Sequence, residues 1–170
     1  MTSIIKRAYR LLVKSSDYLR SPFLLAIRLY WGWQLAQSGW GKLHNLSQVT
    51  GFFTSLGIPL PHANAVLVSN VEFFGGILLI LGLASKLNGL VLTVNMLVAY
   101  ITADREALLS LFSDPGKFYV ADPFTFLFAA LIVLIFGAGF ISLDSIVERV
   151  AAERTPAVRT PWPTSAALQR

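Results

Sequence analysis

Four long apolar stretches organise the chain: residues 22–41, 63–83, 87–103 and 120–142. Each is close to the roughly 20 residues a helix needs to cross a hydrocarbon core, the third only just. Runs this long and continuous do not suit the alternating strands of a barrel, and only helices or closed barrels satisfy every backbone group in lipid. The pattern therefore predicts an all-α fold, a four-transmembrane-helix bundle. Ahead of the first stretch, Ile4, Ile5, Ala8, Leu11 and Leu12 recur at helical spacing among Lys6, Arg7, Arg10 and Lys14. This predicts an N-terminal amphipathic helix over residues 1–20 that lies on the inner leaflet as an interfacial element. A cleavable signal would instead need a continuous apolar core and a small-residue cleavage site.

The connections carry patterns of their own. Leu46, Val49, Phe52, Phe53 and Leu56 recur at helical period before Gly57-Ile58-Pro59 breaks it, which predicts a short helix on the outer interface. Ala107, Leu108, Leu111 and Phe112 precede a turn at Asp114-Pro115-Gly116, so the two outer loops together would cap that end of the bundle. Residues 21–145 form the membrane domain in this reading. Residues 146–170 form a cytoplasmic tail, disordered beyond about 155, where Pro156, Pro161 and Pro163 interrupt a segment with few apolar residues.

Composition sharpens the class. The 170 residues are 55% hydrophobic and 14% charged, whereas a soluble domain is roughly 45–50% apolar and about a quarter charged. A soluble enzyme, a disordered protein and a nucleic-acid-binding domain are disfavoured, and the bilayer becomes the expected partner. Ten Lys and Arg residues fall on the side of the two termini, against Lys42, Arg105 and Lys117 on the other. By the positive-inside rule both termini face the cytoplasm of a multi-pass protein, in a bacterial or archaeal plasma membrane. The chain has no cysteine, which excludes disulfides, zinc thiolates and iron–sulfur ligation within it. His44 and His62 sit at the outer edge without the spacing of a metal site, and no metal is expected. No strand precedes a glycine-rich phosphate loop, so any redox electrons must come from a partner or a diffusing carrier.

Two ionisable residues lie inside the spans, Arg28 and Glu72, and such residues are functional candidates by default. From the helical rise, Arg28 is roughly 9 Å from the cytoplasmic end of its span and Glu72 about 14 Å from the opposite end of its own. A long arginine would bridge the remaining offset, and the two charges are expected to pair. Gly32, Leu35 and Gly39 share the stripe of Arg28, and Ser69, Gly75 and Gly76 lie beside Glu72, so these faces suit close helix approach. Asn88, Asn95 and Thr102 recur every seven residues on one inward face, and Gln34, Gln37 and Asn70 add hydrogen-bonding capacity. Two readings stay open: a structural network that joins helices, and a binding or proton-handling site for a small polar head group.

In its ordered pieces the chain resembles the DoxX family of small four-helix membrane proteins. Arg28 is followed by Gly39-Trp40-Gly41-Lys42-Leu43, then Phe53 and Gly57-Ile58-Pro59. Glu72-Phe73-Phe74-Gly75-Gly76 leads into Leu79-Ile80-Leu81-Gly82-Leu83, and Phe136-Gly137-Ala138-Gly139 precedes Ser142-Leu143-Asp144. The resemblance carries over Arg28, Lys42, Glu72 and Gly75-Gly76. It implies a membrane subunit of an oxidoreductase complex, in some relatives one that couples thiosulfate to quinone. A quinone site would be apolar and aromatic with a few polar groups, with walls from Tyr30, Trp31, Trp33, Phe73 and Phe74. Arg28 and Glu72 would be its catalytic pair, stabilising charge and delivering a proton. Arg28, Trp31, Gln34, Lys42, Glu72 and Asn95 would bind the quinone, the one cofactor expected. The alternative is a non-catalytic scaffold that docks a soluble redox or maturation partner, with homo-oligomerisation open in either case. A transporter ranks last, because no inverted repeat or broken helix is evident.

Overall fold

The computed structural model describes residues 2–154, and all regular structure among them is helical. Eight helices follow in order: α1 (Thr2–His44), α2 (Leu46–Ser55), α3 (Pro61–Leu81), α4 (Ser85–Thr102), α5 (Arg105–Leu109), α6 (Pro115–Val120), α7 (Pro123–Phe136) and α8 (Leu143–Arg154). The four expected long segments appear as the C-terminal half of α1, α3, α4 and α7. They pack in a ring, α1 on α3, α3 on α4, α4 on α7, and α7 back on α1, with α2 laid against α3. Leu35, Leu79, Leu92, Met96, Leu127 and Val133 fill the centre. Among the described helices, α3 alone has the length and apolarity to cross a bilayer by itself.

Small residues set the tightest contact. A Cβ on Gly32 would lie 2.9 Å from the Gly76 carbonyl oxygen, and one on Gly76 would lie 2.5 Å from the Ala36 nitrogen. A Cβ on Gly39 would collide with the backbone of Phe73. The backbones of α1 and α3 therefore touch, as the glycine stripes predict. Gly75 faces the other way, toward Leu92 and Asn88 of α4.

Three expectations about element boundaries need correction. The N-terminal amphipathic segment is not a separate helix. It continues through Pro22 into the first span as one helix of 43 residues, about 64 Å long. Proline removes one backbone bond there, but the flanking residues are tied to the far end of α7. Arg20 Nη2 donates to the Phe136 carbonyl at 2.9 Å, and the Phe140 amide donates to Ser21 Oγ at 2.9 Å. The fourth stretch is helical over only 14 residues. Gly137, at φ 74°, takes the chain out of the helix, and residues 137–142 form an irregular segment. The turn expected at residues 114–116 instead starts α6, with Pro115 in its first turn. The short helix expected ahead of Gly57-Ile58-Pro59 is present as α2, and Gly57 turns the chain out of it at φ 70°. The tail expected to be disordered beyond about residue 155 lies outside the described residues.

Candidate functional site

A cavity of about 690 Å³ opens at the end of the bundle where α1 and α4 finish and α3 and α7 begin. Its apolar wall comes from Leu35, Val49, Phe52, Phe53, Met96 and Phe126. Helix α2 supplies much of that wall, since the face that carries Val49, Phe52 and Leu56 turns toward α3 and the cavity. Into this apolar volume project Ser38, Lys42, Glu72 and Asn95.

Glu72 is 4% exposed and both carboxylate oxygens are engaged. Lys42 Nζ donates to Oε1 at 2.5 Å and Ser38 Oγ donates to Oε2 at 2.9 Å. Ser38 and Lys42 are one helical turn apart on α1, so a single face of α1 presents both donors. The lysine side chain is 36% exposed against 5% for the glutamate. Its ammonium thus sits at the cavity surface with N–H groups to spare, while the carboxylate is buried behind it. An isolated carboxylate at this depth would be costly, and the paired, hydrogen-bonded arrangement offsets that cost. Asn88, one helical face inward, donates to the Gly75 carbonyl at 2.9 Å and joins α4 to α3. Asn95 lines the cavity, as does Thr102, whose hydroxyl donates to the Val98 carbonyl at 2.8 Å.

Asp104, just past α4, and Asp122, just before α7, also line the cavity. Asp104 is half-buried and Asp122 exposed, so both lie toward the rim. Burial, and then the neighbouring Asp122 carboxylate, push the Asp104 carboxyl above its ordinary value.

Arg28 is elsewhere, and the expected Arg28–Glu72 pair does not form. The contacts of Gly32, Ala36 and Gly39 with Ser69, Phe73, Gly76 and Ile80 fix an antiparallel register. That register sets Ser38, ten residues and about 15 Å beyond Arg28, beside Glu72. The guanidinium instead spends its donors on four backbone carbonyls. Nε donates to Leu79 at 3.1 Å and Nη2 to Ile80 at 3.1 Å, both in the last turn of α3. Nη1 donates to Ala138 at 2.5 Å and to Ile141 at 3.0 Å, in the irregular segment after α7. Arg28 is 1% exposed. It therefore closes the end of α3 and the irregular segment after α7 together, with its charge favourably placed at the negative end of α3. Gly82, at φ 65°, makes room: a Cβ there would lie 2.7 Å from the Arg28 Cζ.

Asp144 completes this second cluster. Its carboxylate accepts the Ala84 amide at 2.7 Å and the Ser85 amide at 2.8 Å, capping α4 from a distant part of the chain. Burial opposes ionisation of Asp144, but these amides, with the Arg28 charge, hold its carboxyl below the ordinary range.

Of the six residues expected to bind a head group, Lys42, Glu72 and Asn95 meet at the cavity, while Arg28, Trp31 and Gln34 are not among its lining residues. The aromatic walls also differ. Tyr30, Trp33 and Phe74 point outward, 62%, 60% and 55% exposed, and Trp31 packs edge-on against Tyr30. Phe73 packs against Trp40. The cavity's rings are Phe52, Phe53 and Phe126 instead. Ser38, Asp104 and Asp122 are cavity residues that sequence patterns did not single out. His44 and His62 are exposed. His44 Nδ1 is 2.9 Å from the Trp40 carbonyl and His62 Nδ1 is 3.3 Å from Thr50 Oγ1.

Residues 23–105 match the family model described as DoxX. No curated protein and no solved structure gives a match.

Proposed function

Because the chain carries a DoxX domain, the mark of a membrane-protein family, we propose that it binds a quinone head group in the cavity around Lys42 and Glu72, as the membrane subunit of an oxidoreductase complex. The observation that carries this reading is the placement of a buried, doubly hydrogen-bonded glutamate and its half-exposed lysine on the wall of a mostly apolar cavity that includes Phe52, Phe53 and Phe126. Ligand pockets of this size are commonly apolar, with a few placed polar groups that orient the ligand.

All four long helices cross the bilayer in this account. Their outward faces are apolar: Trp33 on α1, Phe74 on α3, Val94, Leu97 and Ile101 on α4, and Phe128 and Ile135 on α7 are all exposed. A surface of that kind belongs in lipid. Helix α7 reaches only about 21 Å by itself. The segment 137–142 completes the crossing, and irregular backbone is tolerated at membrane depth where the protein satisfies its carbonyls. Arg28 does that for Ala138 and Ile141. Both termini face the cytoplasm, so the cavity faces the outer leaflet.

Lys42 would donate a hydrogen bond to one quinone carbonyl and stabilise negative charge that develops on it. Glu72 would position that ammonium. Reduction of a quinone takes two electrons and two protons, and the electrons come from a partner redox protein. The exposed N-terminal arm of α1, with Tyr9, Leu19 and the basic Lys6, Arg7 and Arg10, favours the scaffold role as a second activity of the same chain: docking that partner.

The test is equilibrium binding of a short-chain ubiquinone analogue to the purified protein in nanodiscs. Parent protein should bind it, Lys42→Met should weaken binding at least tenfold, and Glu72→Gln should weaken it less. Equal binding by parent and Lys42→Met overturns the reading.

A further inference from the structure

Four ionisable side chains line the cavity: Lys42, Glu72, Asp104 and Asp122. Lys42 and Glu72 form an ion pair and cancel. Asp104 and Asp122 have no ion-pair partner among the described residues, and both line the same cavity as the inner pair. The remaining polar lining, Ser38, Asn45, Gln48, Asn64, Asn95 and Thr102, is uncharged. The cavity thus carries two uncompensated negative charges inside a chain whose net charge is +5. The overall basicity would attract anions to the molecule. The cavity walls have low dielectric, however, and a cleft lined by one sign of charge concentrates its own field at the opening.

We propose that Asp104 and Asp122 make this cavity reject anions, so that its ligand is an uncharged amphiphile whose head donates hydrogen bonds, of the hydroquinone class. Two features of the site fit such a head. The two carboxylates accept hydrogen bonds from a hydroxyl, and the spare Lys42 N–H groups donate to the opposite oxygen. An alkyl or isoprenoid tail matches Phe52, Phe53 and Phe126. That burial and Asp122 raise the Asp104 carboxyl is what two poorly compensated carboxylates near one another produce. A small sulfur oxyanion, by contrast, would find a single lysine already committed to Glu72 and two like charges on the same cavity lining.

The inference rests on the cavity being a ligand site, and the experiment separates the two. Binding to the full-length protein in neutral-lipid nanodiscs is measured, relative to empty discs, for three probes: decanol, decyl sulfate and a decyl hydroquinone. Parent protein should bind decanol and the hydroquinone, and should bind decyl sulfate at least tenfold more weakly than decanol. The double variant Asp104→Asn, Asp122→Asn should raise the ratio of decyl sulfate binding to decanol binding at least tenfold. Raising salt to about 1 M should narrow the gap in the parent, since screening is then effective over a few ångströms. Both aspartates lie toward the surface, and a thermal melt verifies that the double variant is folded. Equal binding of decanol and decyl sulfate by the parent, or an unchanged ratio in the double variant, overturns the charge-selection proposal. Binding of decanol with no binding of the hydroquinone overturns the quinone reading and leaves charge selection standing. No binding of any probe overturns both.

Discussion

Replacing Arg28 with Met keeps most of the side-chain length and removes every donor. Four carbonyls lose a charged partner: Leu79, Ile80, Ala138 and Ile141. Leu79 keeps the Gly82 amide at 3.2 Å, so three are left without a strong substitute. A buried group deprived of its partner costs about 1–3 kcal/mol, and relaxation recovers part of that. Breaking a buried charged network usually costs about 3–5 kcal/mol in all, and that is the range expected for Arg28→Met. For a chain of this length, about 2–4 °C per kcal/mol places the fall in melting temperature in detergent at roughly 6–20 °C. Gly82 provides an internal control. Gly82→Ala puts a methyl 2.7 Å from the Arg28 Cζ at a φ of 65°. Part of its cost should vanish when Arg28 is already Met. The double-mutant cycle should therefore show coupling of at least about 1 kcal/mol, as contacting residues do. Quinone binding by folded Arg28→Met should stay near the parent's, because the cavity is at the other end. A variant that melts within about 1 kcal/mol of the parent but loses the ligand would refute the assignment of Arg28 as a structural clasp.

Other outcomes follow from the same geometry. Gly39→Ala and Gly76→Ala place a methyl against backbone atoms of the facing helix and should each destabilise by about 1–3 kcal/mol, as overpacking does. Gly41→Ala and Gly51→Ala, with nothing within 4 Å of the added carbon, should not destabilise, and thermal melts compare all four. Asp144→Ala removes the cap on α4 and should cost about 0.5–2 kcal/mol. The Asp144 carboxyl is held below its ordinary 3.8. Its contribution is therefore complete above pH 3.8 and is lost as pH falls through the lower folded value. The gap in stability between parent and Asp144→Ala should close in that acidic range and stay constant above it.

The family, the number of long segments and the glycine contacts were legible because each depends on local pattern. Gly32 and Gly39, seven residues apart on one stripe, mark close approach, and they make it against Gly76 and Phe73. The site was half legible. Reach alone allows a flexible arginine to meet Glu72, whereas register decides the pairing. Gly32 against Gly76 and Gly39 against Phe73 set Ser38 and Lys42 beside Glu72. The same register sets Arg28 at the end of α3. The apolar run through residue 142 hid the end of α7, although Gly137-Ala138-Gly139 marked it. Exposed carbonyls after that break are what Arg28 serves, and nothing in hydropathy reports them. The cavity itself was out of reach, since the wall that α2 provides depends on how a short helix folds back on α3. Asp104 and Asp122 sit in different connections, and only the closed ring of helices brings them to one rim.

The central claim is that the ligand sits beside Lys42 and Glu72, at the end of the bundle opposite Arg28. A photoreactive quinone analogue, cross-linked to the protein in nanodiscs and mapped by peptide mass spectrometry, tests it directly. Labels on Val49, Phe52, Met96 and Phe126, displaced by excess unlabelled quinone and depleted in Lys42→Met, are the predicted result. Displaceable labels confined to the Arg28 end, on residues 136–142, would contradict it.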